Sequence, residues 1–289
     1  MNHYPSLLLT LIKVRISGLV ALSTATGFVL ATGTLSLQLV TPVLGIFLLA
    51  AGSAALNQYQ ERHLDAVMER TRSRPIPSGQ IAPRKALFIS LALMGVGGAV
   101  LKMGAGSTGL FLGLLNVLWY NGIYTPLKRV TPFAVIPGAV IGAIPPAVGW
   151  IAGGRSLMEP QLWALALFFF IWQIPHFWLL LLNFGKDYEK AGFPSLTATF
   201  TPPQLARITY AWILATSFAC LAIPLYGLGH SYLVYIALAG SAVWLVWSSR
   251  ILLQDSLNGR VFRLAFREVN IFILLIMIFL TLDSLMFVK

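Results

Sequence analysis

The stretch that decides the fold is 161–183, QLWALALFFFIWQIPHFWLLLLN, which contains no Asp, Glu, Lys or Arg. A helix of about 20 predominantly apolar residues is long enough to cross the hydrocarbon core of a bilayer. This stretch therefore predicts a membrane-spanning helix.

The whole chain has the composition of a membrane protein. Of its 289 residues, 57% are hydrophobic and only 10% are charged, whereas a soluble domain carries about 25% charged residues. This excludes a water-soluble globule, a disordered chain, a disulfide scaffold and a collagen-like fibre. The lone cysteine, Cys220, lies in an apolar run and has no partner within the chain for a disulfide or a zinc site.

Nine apolar segments are candidates for spanning helices, so we predict an all-α integral membrane protein with about nine transmembrane helices around a central cavity. The segments are 16–34, 37–57, 86–103, 108–126, 133–152, 161–183, 208–228, 232–250 and 268–287. We expect a single domain over 1–289, built from two pseudo-repeated halves at roughly 1–130 and 131–289.

The basic residues indicate the orientation. The chain has 20 Lys and Arg against 9 Asp and Glu, a net charge of +11. If the N-terminus is cytoplasmic, seventeen basic residues lie on the cytoplasmic side and only Lys102, Arg155 and Lys289 lie on the other. Cytoplasmic loops of membrane proteins are enriched in Lys and Arg, so we predict a cytoplasmic N-terminus. No nucleic-acid partner is expected, because no recognition motif accompanies the positive charge.

Five of the nine carboxylates lie in two segments that follow predicted helices 2 and 6. In the first segment, Asn57, Glu61 and Asp65 are spaced i, i+4 and i+8, which places them on one face of a helix. Like charges at this spacing repel each other unless a cation lies beside them. In the second segment, Asn183 and Asp187 repeat the Asn-x-x-x-acid pattern 126 residues further along the chain.

We interpret the two segments as a weak internal repeat, with two acid-bearing helix ends that face each other across a cavity. Mg²⁺ favours a few carboxylates together with water and substrate phosphates. Glu61, Asp65 and Asp187 are therefore candidate ligands of Mg²⁺ that bridges a lipid diphosphate. Basic side chains near them are candidates for neutralising the phosphate oxygens: Arg70, Arg72, Arg74, Lys128, Arg129, Lys186 and Lys190. The alternatives are solvated loops with surface ion pairs, or Ca²⁺, for which no EF-hand-type loop is present.

At these residues the sequence resembles the UbiA superfamily of intramembrane prenyltransferases. Segment 57–65 is similar to the family's Asn-x-x-x-Asp-x-x-x-Asp motif, with Glu61 at the first acid, and RTRSRPIPSG at 70–79 also matches. Four stretches resemble the haem-farnesylating branch of the superfamily: MERT at 68–71, YTPLKRVTP at 124–132, GAIPPAVGW at 142–150, and PHFW at 175–178, which precedes Asp187-Tyr188. The matches run from about 57 to 196, nearly half of the chain.

The second acidic segment departs from related sequences at three places. Ala191 stands four residues after Asp187, where quinone-type enzymes of the family carry a second acid. This argues against a quinone-type enzyme. The haem branch often carries another acid and a Met-Leu pair where this chain has Lys186 and Ser195-Leu196.

The resemblance implies transfer of a farnesyl group from farnesyl diphosphate to a vinyl group of haem B, with addition of water, giving haem O and diphosphate. It also implies that Mg²⁺ is the cofactor and that the protein is surrounded by membrane lipid. A downstream haem A synthase or a terminal oxidase assembly is the implied partner. No transit peptide is evident, so we expect a multi-pass protein of a bacterial inner membrane. The implied catalytic residues are Glu61, Asp65, Lys128 and Asp187. Candidate substrate-binding residues are Asn57, Arg70, Arg74, Asn116, Tyr124, Arg129, His176, Lys186 and Tyr188.

Polar and aromatic side chains inside the predicted spans are further candidates. His176 lies two to three turns before Asp187 and is placed to ligate the haem iron as a neutral imidazole. The alternative is a histidine that is hydrogen-bonded within the bundle. Asn116 is expected either to bind substrate or to bridge helices. Aromatic faces stabilise an allylic cation, and ordinary packing is the alternative for each candidate wall residue: Tyr59, Trp119, Tyr120 and Tyr124.

Three other functions are compatible with the sequence. The first is a UbiA-type prenyltransferase that acts on an aromatic acid or another tetrapyrrole. The second is a transporter whose paired acids carry a coupling ion, although such acids normally lie near the membrane midplane and these lie at predicted helix ends. The third is a haem chaperone, which would bind haem and form no product.

Overall fold

The computed structural model describes residues 4–254 and 257–287, and most of them lie in helices. Within those residues, length and composition mark eight helical segments as candidate membrane spans, close to the nine expected from the sequence. The chain is therefore an all-α, multi-pass membrane protein. Lys289, one of the three basic residues predicted to lie opposite the cytoplasm, falls outside the described residues.

The principal helices are α1 (Tyr4–Leu11), α2 (Val14–Thr32), α3 (Val40–Val67), α4 (Pro83–Leu118), α5 (Val140–Ala152), α6 (Pro160–Lys190), α7 (Pro202–Ala222), α8 (Tyr232–Ser248) and α9 (Gly259–Phe287). Short helical segments between them include a π-helix at Trp119–Tyr124 and single turns at Thr125–Leu127, Val135–Gly138 and Leu196–Thr199. The short helix α1 was not predicted from the apolar runs.

Helix α4 accounts for the difference between eight spans and nine. Gly106, with φ 64° and ψ −165°, interrupts its helical backbone. A straight helix would separate residues 98 and 110 by about 18 Å, yet a Cβ at Gly98 would lie 3.4 Å from Cδ1 of Leu110. The chain therefore reverses at Gly106, a conformation that glycine adopts without strain. The predicted helices 86–103 and 108–126 are the two antiparallel arms of this hairpin.

The helices pack into a closed bundle. Helix α3 packs along α4, α6 contacts both α7 and α9, and α2 lies against α5. The approach of α2 to α5 requires glycine, because a Cβ at Gly149 would overlap the carbonyl oxygen of Thr24. Helix α9 returns to α2, where the hydroxyl of Ser284 donates to the carbonyl of Val29 at 3.1 Å.

Two helices are longer than predicted, and this changes the setting of both acidic segments. Helix α3 continues to Val67 and α6 to Lys190, whereas the sequence prediction ended these two membrane spans at 57 and 183. That prediction was wrong because hydropathy marks only the apolar part of a helix, while Glu, Gln, Lys and Arg are themselves good helix formers. Glu61, Asp65 and Asp187 therefore lie in the last turns of long helices.

Candidate active site

The two acidic segments approach each other at one end of the bundle. The backbone N–H of Arg70, three residues after α3 ends, donates to Oδ2 of Asp187 in α6 at 3.3 Å. The acids predicted to act together therefore lie on the same side of the protein.

The first acidic segment is buried and ion-paired. Asp65 is fully buried and accepts hydrogen bonds from Nη1 of Arg74 at 2.8 and 2.7 Å. Glu61 is 4% exposed, and the Nζ of Lys128 lies 2.6 Å from its Oε1 and 2.7 Å from its Oε2. Each carboxylate therefore has a cationic partner, which offsets the cost of burying its charge.

Lys13 belongs to the same network, although the sequence did not predict a role for it beyond orientation. Its ammonium donates to Oδ1 of Asn57 at 3.1 Å, and Nδ2 of Asn57 donates to Glu61 at 3.0 Å. Within the described chain Lys13 is the only residue other than glycine with a positive φ, 47°, and such strain often marks a functional site. Burial, followed by the nearby charges of Arg74 and Lys128, lowers the pKa of Lys13 to about 7.

The second acidic segment is more open. Asp187 is half-buried, and Glu189 is exposed and accepts a hydrogen bond from the hydroxyl of Thr197 at 2.5 Å. The amide of Asn183 donates to the carbonyl of Leu179 in its own helix at 2.9 Å. Asn57, at the same place in the first segment, instead belongs to the buried charge network. The two Asn-x-x-x-acid patterns therefore have different surroundings.

A π-helix at Trp119–Tyr124 lies beside the first segment. Asn121, which is 5% exposed, donates to the carbonyl of Ser53 at 3.0 Å and to Oε1 of Gln60 at 3.2 Å. These bonds fix the wide helical turn to α3. Turns of this type are frequent at functional sites because they redirect side chains that follow them.

Aromatic rings form the wall between the π-helix and α6. Tyr120 and Tyr124 stack with centroids 5.9 Å apart, and Tyr124 faces Phe177 of α6 at 5.8 Å. The other two candidate wall residues pack elsewhere. Tyr59 lies under the guanidinium of Arg62, and the indole of Trp119 donates to a backbone carbonyl at 2.7 Å. The packing alternative accounts for these two.

A narrow cleft lies beside these rings. It measures about 70 Å³ and is lined in part by Tyr124, Lys128, Phe177, Tyr188 and Phe193. Typical ligand sites measure 300–1,000 Å³, so a lipid substrate requires this cleft to widen. A larger surface depression of about 710 Å³, at 247–254, includes none of the predicted site residues.

Three basic residues predicted to bind phosphate have other surroundings. The guanidinium of Arg70 lies over the ring of Phe184 at 5.0 Å, and that of Arg129 donates to the carbonyl of Gln60 at 2.9 Å. Lys186 is exposed. The structure thus pairs Arg74 and Lys128 directly with the acids, and among the described residues none of these three forms an ion pair with them.

His176 and Asn116 are polar groups within the bundle. The rings of Trp172 and Phe266 lie 5.1 and 5.0 Å from the imidazole. In the described part of the chain, Nδ1 of His176 and Oδ1 of Asn116 are buried and have no hydrogen-bond partner. Buried polar atoms without a partner are uncommon in folded proteins. Ligation of the haem iron by His176 and its alternative, a histidine hydrogen-bonded within the bundle, both stay predictions.

The carboxylates suit Mg²⁺ in kind, but they do not form a preassembled metal centre. Over residues 4–254 and 257–287, no three His, Cys, Asp or Glu side chains come close enough to hold a metal ion. Mg²⁺ nevertheless favours carboxylate oxygens together with substrate phosphates. Glu61, Asp65 and Asp187 supply such oxygens at one end of the bundle, so the residues fit an ion that binds together with a diphosphate.

The sequence signature of the UbiA prenyltransferase family matches residues 20–280. The chain belongs to the UbiA prenyltransferase family. Among the relatives of this UbiA protein, the protoheme IX farnesyltransferase of Nitratidesulfovibrio vulgaris (strain DP4) is 40% identical over 235 residues, which cover 81% of this chain and 82% of that protein. The protoheme IX farnesyltransferase of Oleidesulfovibrio alaskensis is 35% identical over 277 residues, covering 96% and 95%.

Solved structures of other proteins share the fold. A UbiA homolog from Archaeoglobus fulgidus bound to DMAPP and Mg²⁺ matches with a TM-score of 0.72 and 16% identity, over 97% of this chain and 99% of that chain. The structure of a digeranylgeranylglyceryl phosphate synthase matches with a TM-score of 0.77 and 15% identity, over 97% and 98%. The helical bundle is therefore the UbiA fold.

Proposed function

We propose that this UbiA protein transfers a farnesyl group from farnesyl diphosphate to a vinyl group of haem B, with addition of water, to give haem O and diphosphate. One observation carries the proposal. Two ion pairs with buried carboxylates, Glu61–Lys128 and Asp65–Arg74, lie at the same end of the bundle as Asp187. The chain that carries them is 40% and 35% identical to two protoheme IX farnesyltransferases.

The ion pairs have a direct use in binding a diphosphate. Lys128 and Arg74 neutralise Glu61 and Asp65 before the substrate binds. Glu61, Asp65 and Asp187 would hold Mg²⁺, which would supply positive charge to stabilise a departing diphosphate. The ammonium of Lys128 and the guanidinium of Arg74 would then be free to bind phosphate oxygens. Lys13, through Asn57, keeps the side of the network nearest α2 in place.

The chemistry then needs no protein nucleophile. The bond between the farnesyl C1 and the diphosphate oxygen breaks, and the electron pair leaves with the diphosphate. The π electrons of the haem vinyl group form a carbon–carbon bond to the allylic cation, and the positive charge moves to the carbon next to the porphyrin ring. Water adds there and loses a proton. The faces of Tyr120, Tyr124 and Phe177 stabilise the allylic cation and exclude water from it.

His176 is the candidate for orienting the haem substrate. Its Nδ1, buried and without a partner within the described residues, is suited to ligating the iron and thereby positioning a vinyl group. The remaining predicted binding residues stay proposals of this function: Asn57, Arg70, Asn116, Arg129, Lys186 and Tyr188.

We also propose that the acidic end faces the cytoplasm of a bacterium, with the N-terminus on that side and the chain in the inner membrane. The proposal rests on the distribution of the basic residues. A downstream haem A synthase or a terminal oxidase assembly would take up the product.

Mass spectrometry of the products tests the function. Membranes containing the protein are incubated with Mg²⁺ and farnesyl diphosphate, and with either haem B or 4-hydroxybenzoate. We expect a pigment heavier than haem B by one farnesyl and one hydroxyl group, and release of diphosphate. Prenylated 4-hydroxybenzoate would favour the other UbiA-type activity. Haem binding with no product would favour a chaperone, and gradient-dependent uptake without diphosphate release would favour a transporter.

A further inference from the structure

A surface depression of about 710 Å³ lies at the end of α8, and none of the residues assigned to the reaction line it. Its lining includes Trp247, Arg250 and Leu253. Helix α7 lies beside the end of α8, because the hydroxyl of Tyr210 donates to the carbonyl of Val246 at 3.3 Å. The depression is therefore a feature of the α7–α8 side of the bundle, and the proposed chemistry leaves it without a role.

The last turn of α8 lies at the depth of the lipid headgroups. The candidate membrane span that includes α8 runs over Tyr232–Leu253, and α9 begins at Gly259. The chain therefore leaves the hydrocarbon and returns to it between these residues. Trp247 is 69% exposed, and tryptophan is enriched where the hydrocarbon meets the headgroups. The depression thus lies at the surface of the membrane.

An exposed apolar face of α8 leads to the depression. Leu233, Ile236, Val243 and Trp247 are all exposed, and their spacing places them on one face of the helix. A Cβ at Gly240, on the same face, would meet no atom of the described chain within 4 Å. In a bilayer this face is covered by acyl chains, so the headgroup of a lipid that lies along α8 reaches the depression.

Arg250 supplies a cation at this place. Its side chain is exposed, and its guanidinium carbon lies 4.8 Å from the ring centroid of Trp247. None of the ion pairs within residues 4–254 and 257–287 includes Arg250. A guanidinium that lies over an aromatic ring keeps N–H donors for oxygen ligands, and their planar arrangement matches a phosphate group.

The backbone that carries Arg250 is fixed by packing. A 3₁₀ helix at Ser249–Leu253 follows α8 and contacts α7 and α9. Leu252, within it, is buried in the hydrophobic core. The surrounding sequence is basic, since residues 247–268 include four arginines and two acids, a net charge of +2. A basic site of this kind at headgroup depth favours an anionic lipid.

We propose that this depression binds the headgroup of an anionic phospholipid, with Arg250 on the phosphate oxygens and an acyl chain along the exposed face of α8. Its volume lies within the 300–1,000 Å³ that is typical of ligand sites. The adjoining apolar face favours a lipid over a soluble phosphate compound, because a lipid presents its phosphate and its acyl chain together at this depth. The site shares no residue with the proposed function and does not depend on it.

Native mass spectrometry of the full chain in detergent tests the proposal. The protein is titrated with dioleoyl phosphatidylglycerol, which is anionic, and with dioleoyl phosphatidylcholine, which has the same chains and no net charge. We expect the first phosphatidylglycerol to bind at least about fivefold more tightly than the first phosphatidylcholine. Arg250→Gln should remove this preference. Trp247→Leu should reduce it, because the guanidinium loses the ring beside it.

A matched control removes the same charge from the same stretch of sequence. Arg260, in α9, is exposed and does not line the depression, so Arg260→Gln should keep the preference for phosphatidylglycerol. Equal losses in Arg250→Gln and Arg260→Gln would overturn the proposal, since general attraction to the basic stretch would then explain the binding. An unchanged preference in Arg250→Gln would also overturn it.

A soluble headgroup distinguishes the two sources of phosphate. Glycerol phosphate, which has no acyl chain, is titrated into the wild type in the same way. We expect it to bind more weakly than phosphatidylglycerol. Binding as tight as that of the lipid would show a site for soluble phosphate compounds and would overturn the assignment to a phospholipid.

Discussion

The two acidic segments share a sequence pattern but differ in their surroundings. Both carry Asn-x-x-x-acid in the last turns of a long helix, 126 residues apart. In the first, Glu61 and Asp65 are buried and ion-paired to Lys128 and Arg74. In the second, Asp187 is half-buried and accepts from a backbone N–H. The acids of the first segment belong to a network of charged side chains. The carboxylate of Asp187, in the second segment, is not paired with a cationic side chain.

Because of this difference, we expect substitutions in the two segments to affect stability and turnover differently. Removing an acid of the first segment leaves a partly buried cation without its partner, so it should lower both stability and turnover. Removing the acid of the second segment strands no paired cationic side chain, so it should damage turnover alone. Substitutions on the two sides of the site therefore distinguish the two roles.

The largest effect is expected for Asp65→Ala. The change leaves the guanidinium of Arg74 without its buried partner, which costs about 3–5 kcal/mol of unfolding free energy. Turnover should fall at least about 10³-fold, because diphosphate charge loses its stabilisation. Thermal unfolding in detergent and farnesyl transfer to haem measure the two losses.

Two controls accompany this change. Asp65→Asn combined with Arg74→Gln should recover most of the stability and none of the turnover. Glu159→Gln breaks a pair with Arg155 that is partly exposed, so it should cost less than about 1 kcal/mol. Wild-type turnover in Asp65→Ala would remove this residue from the site.

Asp187→Asn should produce the second largest effect. Turnover should fall about 10²–10³-fold, with a melting temperature close to that of the wild type. The same assays measure both quantities. A loss of stability equal to that of Asp65→Ala would contradict the difference between the two segments.

Much of this site was predictable from local sequence. Periodicity and spacing placed Asn57, Glu61 and Asp65 on one helix face. The equal offset of Asn57 and Glu61 from Asn183 and Asp187 suggested a pair of acidic segments. The apolar run could not predict where each helix ends, since helical hydrogen bonding continues into polar sequence once the chain leaves the hydrocarbon.

The ion pairs could not be predicted from local sequence. Lys128 and Glu61 are separated by 67 residues, and the tertiary fold alone decides that Lys128 rather than Arg129 reaches the acid. Lys13 is a similar case, because its role depends on a strained backbone turn against α3. The two-half repeat stays a prediction.

Lys128→Met should lower kcat/KM for farnesyl diphosphate about 10²-fold, since Lys128 is the cation in contact with Glu61. Lys128→Arg should recover part of this loss because it keeps the charge. Arg129→Met, which removes a bond to a backbone carbonyl, should lower kcat/KM less than about tenfold. Steady-state kinetics with haem B measure all three. Equal losses at the two positions would contradict the distinction between them.

A further prediction concerns pH. Burial lowers the pKa of Lys13 from 10.5 to about 7, so between these values the unfolded chain binds a proton that the folded chain does not. Stability conferred at this residue should therefore rise with pH across that window. Unfolding of the wild type and of Lys13→Met, measured from pH 7 to about 10, should show the stability of the wild type rising with pH relative to that of the variant. Parallel curves would show that Lys13 titrates normally.

Binding of an unreactive substrate analogue tests whether both acidic segments bind the same diphosphate. A farnesyl thiodiphosphate, whose C–S bond resists ionisation, is titrated calorimetrically into the purified wild type, Asp65→Asn and Asp187→Asn, with Mg²⁺ and with a chelator. We expect wild-type binding that requires Mg²⁺, and losses of at least about tenfold in both variants. Asp187→Asn binding as tightly as the wild type would show that the first segment holds the diphosphate alone.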